Sequence, residues 1–324
     1  NGITYPQFSG FIDGWPQTWN GWSDANVPLT ASDAFKVLNF AQLNTSFAQE
    51  RSDQRIGNVM TAINWTVGGP QWTLGDAVLG LLGSTTILGP TGDRNLAVGT
   101  AQIQASTLSQ TSALAHMQDV AATENGLLFM GKDGRVTFVA FSGVSPASSA
   151  TFGELELPYT NLALAYDDNT IFNSVRITRV GGTEQVVNDA TSQTNHFLRT
   201  LTLTNTLQVT DGAANAMATY ILGTYKTPFL EVIGMDLDGT VNPTAMWPII
   251  LGKEIGDVVT VRRRPPGGGA MIEQISQIQG MQASYTAQGG DWLASWQLMA
   301  TNPTNQTFWV LGTNRLGTDT FLFY

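Results

Sequence analysis

The sequence predicts an α+β, β-rich fold with a few short helices, and three observations predict it. Charged residues make up only 12% of the 324-residue chain, well below the quarter of an average soluble protein, so much of the polar surface is neutral. The 34 glycines, with Thr, Ser, Asn and Gln, suit short strands and polar turns better than long solvated helices. The spacing of apolar residues also switches along the chain between helical and strand periods.

Phe8 to Trp15 and Asn26 to Thr30 read as short strands around a Trp-rich turn, Trp15-Pro16-Gln17-Thr18-Trp19-Asn20-Gly21-Trp22. Ser32 is placed to cap a short helix through Phe35 and Leu38. Ile56, Val59, Met60 and Ile63 recur at helical spacing, as do Ala113, Leu114, Met117, Val120 and Ala121 before a stop at Asn125-Gly126. Leu127 to Met130 and Val136 to Phe141 then flank the turn Lys132-Asp133-Gly134 as a hairpin. Ser142 to Ala150, rich in Ser, Gly and Pro, is the linker, separating a mixed α/β domain (1–145) from a β-rich domain (146–324). The second domain carries strands at Val175 and Ile177 and at Trp292, Ala294, Trp296 and Leu298. Its helix, with Ala214, Met217, Ala218 and Ile221 on one face, stops at Thr227-Pro228.

One local pattern occurs twice. Trp72-Thr73-Leu74-Gly75 with Leu79-Gly80 is matched by Trp309-Val310-Leu311-Gly312 with Leu316-Gly317. We read it as a Gly-kinked β-segment used twice, which nominates Trp72, Leu74, Trp309, Leu311, Leu316 and Tyr324 as subunit contacts. Trp15, Trp19 and Trp22 are nominated as exposed aromatics.

The net charge of −10 opposes nucleic-acid or anionic-membrane binding, which needs a basic face. The one dense basic run, Arg262-Arg263-Arg264, reads either as a phosphate contact or, more simply, as a solvated strand end before a Pro-Gly loop. Without cysteine there are neither disulfides nor thiolate metal sites. The longest apolar run, Ala77 to Gly83, is too short to span a membrane.

Glu231 to Thr240 resembles the first motif of haloacid-dehalogenase-type phosphatases, with Asp236 and Asp238 as the paired aspartates. Lys253 and Gly256-Asp257 crowd too close behind to supply the later motifs, so the simpler reading is a strand ending in an Asp-Gly turn. His116 and His196 have no partner that sequence names. Glu154 with Glu156, Asp236 with Asp238, and Asp167-Asp168 are too close in sequence to be shown facing each other across a glycosidase cleft. Asp167-Asp168-Asn169 reads as a turn rather than a calcium loop. No catalytic, cofactor-binding or metal-ligating residue is predicted, and no cofactor.

Taken in order, Phe8 to Gln17, Arg55-Ile56-Gly57, Asp93 to Leu96, Glu124 to Phe129, Asp133 to Phe138, Tyr166-Asp167-Asp168, Asn173-Ser174-Val175, Trp247-Pro248, Ile255 to Val261 and Trp309 to Tyr324 resemble minor tail proteins of phages infecting actinobacteria, a group related to baseplate hub proteins. The resemblance implies a homo-oligomeric hub of β-barrel-like domains, trimeric or ring-forming, that closes the tail tube between the distal tail protein and the tip. It also implies the distal tail protein, the tape measure and other tip proteins as partners. The location it implies is the virion tail, after synthesis in the host cytoplasm, with no enzymatic activity, membrane insertion or nucleic-acid readout. The stretch at Asp236 would be a loop, Trp72 to Pro90 an insertion, and a further N-terminal portion would be expected. The alternative is a tail-borne protein that binds or depolymerises host-surface glycans through the exposed tryptophans.

Overall fold

Ile56, Val59 and Met60 are fully buried, and they share one core with Met117, Val120 and Ala121. In the computed structural model, which describes residues 3–14, 16–19, 25–63, 65, 94–140, 148–165, 170–265, 271–286 and 291–301, these faces belong to two helices of the first of two compact units. That unit comprises Asn1–Gly143 with Thr206–Val209; the second comprises Val144–Asn205 with Thr210–Tyr324. Each is described by itself.

The first unit contains α1 (Phe35–Phe40), α2 (Ser52–Ala62) and α3 (Ala113–Glu124). Ser32 does not cap α1. It lies in the strand Thr30–Ser32, and its hydroxyl donates to Asp13 at 2.5 Å, while the carboxylate of Asp33 accepts from the Phe35 amide at 3.0 Å. The strands predicted around the Trp-rich turn are shorter than read, Phe11–Gly14 pairing with Thr30–Ser32. Ser112 does cap α3, accepting from the Ala115 amide. Asn125 ends α3 in the left-handed region, at φ 55° and ψ 34°, and the Gly126 amide turns back to the Ala121 carbonyl. Leu127–Met130 and Val136–Val139 form the expected hairpin, and Arg94–Leu96 adds to it in parallel. Three antiparallel two-residue ladders join the segments before α2 to those before α3: Gln42–Leu43 with Thr111–Ser112, Ser46–Phe47 with Ser106–Thr107, and Glu50–Arg51 with Gln102–Ile103.

The second unit is built on a six-stranded sheet in the order Thr151–Phe152, Val258–Arg263, Ile272–Thr286, Asp291–Ala300, Glu231–Asp238, Asn161–Ala165, antiparallel except for the first pair. Ile272–Thr286 has no strand period in the sequence because Ile272, Ile275, Ile278 and Met281 recur every third residue. A bulge resolves this. Ile278 pairs with Leu298 and Met281 with Trp296, and the extra residue between keeps both on the core face. A second irregularity offsets Ala163–Leu164 against Glu231–Asp238, and the sheet curls. The core under it holds Phe152, Val232, Met235, Leu237, Val259, Val261 and Trp296, closed by Met246 and Ile250 of a proline-containing helix, Pro243–Gly252.

A smaller sheet, Gln185–Asn188, Ser174–Arg179, Thr200–Thr206, packs Val175 and Ile177 against Ala214, Ala218 and Ile221 of the long helix Asp211–Tyr225. The polar stretch before His196 is a further short helix, Ala190–His196, with Asp189 as its cap. These three helices are α4 (Ala190–His196), α5 (Asp211–Tyr225) and α6 (Pro243–Gly252). The molecule is thus α+β and β-rich, with six helices among the described residues.

Because a Cβ-branched side chain is disfavoured in the left-handed region, Asn125→Val should cost about 1–2 kcal/mol and Asn125→Gly should cost nothing. Urea midpoints of the two variants check this.

Candidate functional site

The core side of the six-stranded sheet leaves its other face to be explained. Register places Asn161, Asp236, Ser295 and Gln282 in one row across four strands, and Asp238, Leu293 and Ser284 in the next. Ser295, Gln297 and Gln282 are exposed. These rows are polar or acidic except for Leu293, which is half exposed, and no cation stands in them. Asp236 and Asp238 lie two apart on one strand, so both belong to it. Asn161 donates to Asp236 at 3.1 Å, and the amide and hydroxyl of Thr240 donate to Asp238 at 2.8 and 2.7 Å. The Asp-Gly turn is as read from sequence, whereas the loop at Asp236 that the resemblance implied is a strand. That strand runs antiparallel to both neighbours. The phosphatase motif needs a parallel strand whose carboxyl end meets helix N-termini, so the likeness is local only.

The arginine run is not a free cationic patch. Arg262 donates to Glu156 at 3.1 Å and to Glu273 at 2.6 Å, Arg264 donates to Glu156 at 2.9 and 2.7 Å, and Arg263 is bonded to Glu154. Tyr159 also donates to Glu154, at 2.9 Å. Three guanidinium groups therefore meet three carboxylates at a strand end that stays about one-third exposed, so the solvated strand end holds with the arginines already engaged. Hydrogen bonds from Arg264 hold the Glu156 carboxyl at about 2. Partial burial opposes ionisation of Glu154, but the bonds from Arg263, Tyr159 and backbone amides bring it to about 2 as well. Burial, then the bond to Glu154, raises the Tyr159 hydroxyl to about 12. Glu154 and Glu156 are committed to these pairs rather than to an open cleft.

The largest fully buried polar side chain among the described residues is Arg55, with no exposed surface. Its Nε donates to Glu50 at 2.6 Å, one terminal nitrogen to Ser106 at 3.1 Å, and the other to the carbonyls of Ala48 and Gln104 at 2.7 and 2.9 Å. His116 Nε2 lies 3.3 Å from the first terminal nitrogen. Guanidinium has no lone pair to offer, so the histidine nitrogen accepts and the imidazole is neutral, protonated on Nδ1. Burial first, and then the adjacent charge of Arg55, lowers His116 to about 4. Phe47 lies 5.1 Å from the guanidinium carbon and stacks on the imidazole at 6.0 Å. Nearby, Glu124 accepts from Ser52, from the amide and hydroxyl of Thr100 and from the amide of Ala101. Both networks are architectural. Arg55 was legible as an arginine four residues before Val59 on the buried stripe of its helix, but its partners come from segments distant in sequence.

Of the nominated contact residues and exposed aromatics, the aromatic Trp19 is described, 68% exposed in a two-residue strand. Trp15, Trp22, Trp72, Leu74, Trp309, Leu311, Leu316 and Tyr324 lie outside the described residues, as do the repeated segment, Ala77 to Gly83, Asp167-Asp168-Asn169 and most of the linker. Sequence reasoning missed an aromatic cluster at the turn end of the long hairpin, where Tyr285 pairs with Trp292. There Trp292 meets Trp247 edge-on at 6.1 Å and Tyr285 at 5.9 Å. Among the described residues no group of His, Cys, Asp or Glu is arranged to hold a metal ion, and no helix is long and apolar enough to cross a membrane.

What this arrangement defines is a β-rich scaffold whose charged groups are tied to one another. No protein-family model matches the chain, and no curated protein matches it. Among solved structures, the 43 kDa tail protein of prophage MuSo2 from Shewanella oneidensis aligns with a TM-score of 0.54 at 14% identity, covering 91% of this chain and 78% of that one. The tail protein from Neisseria meningitidis MC58 aligns with a TM-score of 0.58 at 11% identity, covering 92% and 81%. The chain shares its fold with both.

Two outcomes are expected. Arg55→Met strands the Glu50 carboxylate and should cost about 3–5 kcal/mol in urea unfolding. Glu156 has a folded value below its ordinary 4.5, so its contribution is present above that pH and is lost as pH falls towards about 2. The melting-temperature gap between the native chain and Glu156→Gln should therefore be widest above pH 5 and close on acidification.

Proposed function

We propose that the chain is a structural, non-enzymatic component of a phage tail, placed at the tip as a baseplate hub that closes the tail tube and joins the distal tail protein to the tip. The observation that carries this reading is the extent of the shared fold, nine-tenths of the chain on two proteins named as tail proteins. The site chemistry supports it. A curled sheet with one apolar face and one neutral-to-acidic face suits a wall between packed protein and a water-filled passage through which a polyanion moves without adhering. In this reading several copies form a ring, a trimer as the sequence resemblance implies, with the tape measure and other tip proteins as neighbours. The phage host it implies is an actinobacterium.

Exposed Trp19 supports a second reading, a tail-borne glycan binder, since an exposed indole offers a stacking face for a sugar. Loss of binding to host wall polysaccharide in Trp19→Ala would favour it over the hub.

Mass photometry of the purified chain should give a trimer, and immunogold labelling of intact virions should mark the tail tip. A monomer at micromolar concentration, or label elsewhere on the particle, would sink the hub reading. Phosphate release from p-nitrophenyl phosphate should stay at background before and after Asp236→Ala.

A further inference from the structure

Phe197 is the most exposed large hydrophobic residue among those described, at 82%, and Leu198 beside it is 65% exposed. Neither belongs to any of the three cores. Phe197 has φ 60° and ψ 171°, a conformation that glycine adopts freely and a side chain with a Cβ does not. The strain is held in place by Asn173, which has no exposed surface. Its Nδ2 donates to the Phe197 carbonyl at 2.6 Å, and its Oδ1 accepts from the Arg199 amide at 2.8 Å. The Arg199 side chain donates to the His196 carbonyl at 3.2 Å. A buried amide thus fixes a strained loop whose two apolar side chains face solvent, the reverse of what folding alone would select.

The strand that follows, Thr200–Thr206, is an edge of its three-stranded sheet and the longest edge strand among the described residues. It contains neither charge nor proline, two of the usual obstacles to strand addition, and its one irregular residue, Asn205 at φ 60°, lies at the far end from Phe197. Leu201 and Leu203 pack into the core beneath α5, and Thr200, Thr202 and Thr204 are exposed.

We infer that this edge, headed by Phe197 and Leu198, receives the C-terminal segment Trp309–Tyr324 of a second copy of the chain as an added strand. The inference rests on the assembly reading above and names its contact. Residues 302–324 follow the last described strand, and at roughly 3.3 Å per residue they are long enough to reach a neighbouring molecule. The segment is rich in strand formers, and its Arg315 and Asp319 cancel, so a neutral strand meets a neutral edge. Alternate apolar residues such as Trp309 and Leu311, or Phe321 and Phe323, supply side chains for Phe197 and Leu198 to pack on, while backbone bonds to the edge supply affinity.

Hydrogen exchange of the full chain, followed with mass photometry across a dilution series, tests this. Thr200–Thr206 amides should exchange at least tenfold more slowly in the assembled state than in the diluted monomer. Phe197→Gly should keep or raise the melting temperature, because it relieves the strain, yet weaken assembly at least tenfold. Thr202→Lys, which places a charge on the edge, should do the same. A peptide of residues 309–324 should bind a chain truncated after Phe308 and should not bind its Phe197→Gly form. The idea fails if Phe197→Gly assembles normally or if the peptide protects another part of the molecule. It fails equally if the edge is protected in the monomer, which would mean that the segment closes on its own copy. Rings with an unprotected edge would leave the tail reading standing and remove this contact. Peptide capture at the edge without tail-tip label would do the opposite.

Discussion

A buried guanidinium organises the first unit. Arg55 has five N–H donors in a rigid plane, and the structure supplies an acceptor for each: a carboxylate, a hydroxyl, an imidazole nitrogen and two carbonyls. Removing such a group from water is costly, and only near-complete satisfaction offsets that. The acceptors come from the ladder segments on both sides of α2 and from α3, so their relative positions are specified together. The two-residue ladders, too short to hold register alone, gain it from this shared partner. Thr206–Val209 then joins the same unit, where the Gln104 amide donates to the Leu207 carbonyl and the Leu207 amide to Thr123.

The second unit uses a different device. Its long strands keep one face apolar through a bulge that reverses the pleat where the apolar spacing changes from two to three. The opposite face mixes Ser, Gln, Asn and Asp with exposed Ile233, Ile275, Leu293 and Met299. The arginines at the end of Val258–Arg263 are absorbed by Glu154, Glu156 and Glu273, so the local cationic charge is cancelled. The low charge content in the sequence and the self-paired charges in the structure are two views of one property. The net charge of −10 that remains works against adhesion to a polyanion.

Helices with a regular apolar stripe were legible: Ile56 to Met60, Met117 to Ala121 and Ala214 to Ile221 each sit where the period put them, because burial of one face is a local pattern with a tertiary consequence. So was the hairpin around Asp133-Gly134, and the alternating strand ending at Leu298. Ser32 failed as a cap because its hydroxyl found Asp13 across a strand pair. Ile272–Thr286 failed because a bulge is invisible until the partner strand is known. Of the candidate surfaces, Trp19 was named from sequence, while Phe197 was not. Its exposure follows from a clamp by Asn173, twenty-four residues earlier in the chain.

By itself the sequence determined composition-level facts: an α+β, β-rich chain, acidic, without thiol chemistry, and with its helix faces marked. Those depend on residue type and short-range spacing, which the covalent chain carries directly. Tertiary structure alone decided which charges cancel, which neutral acceptors surround Arg55, which sheet edge stays open and which apolar side chains are held out in solvent. Each of these is a contact between residues far apart in sequence, set by the geometry of closure rather than by any local preference.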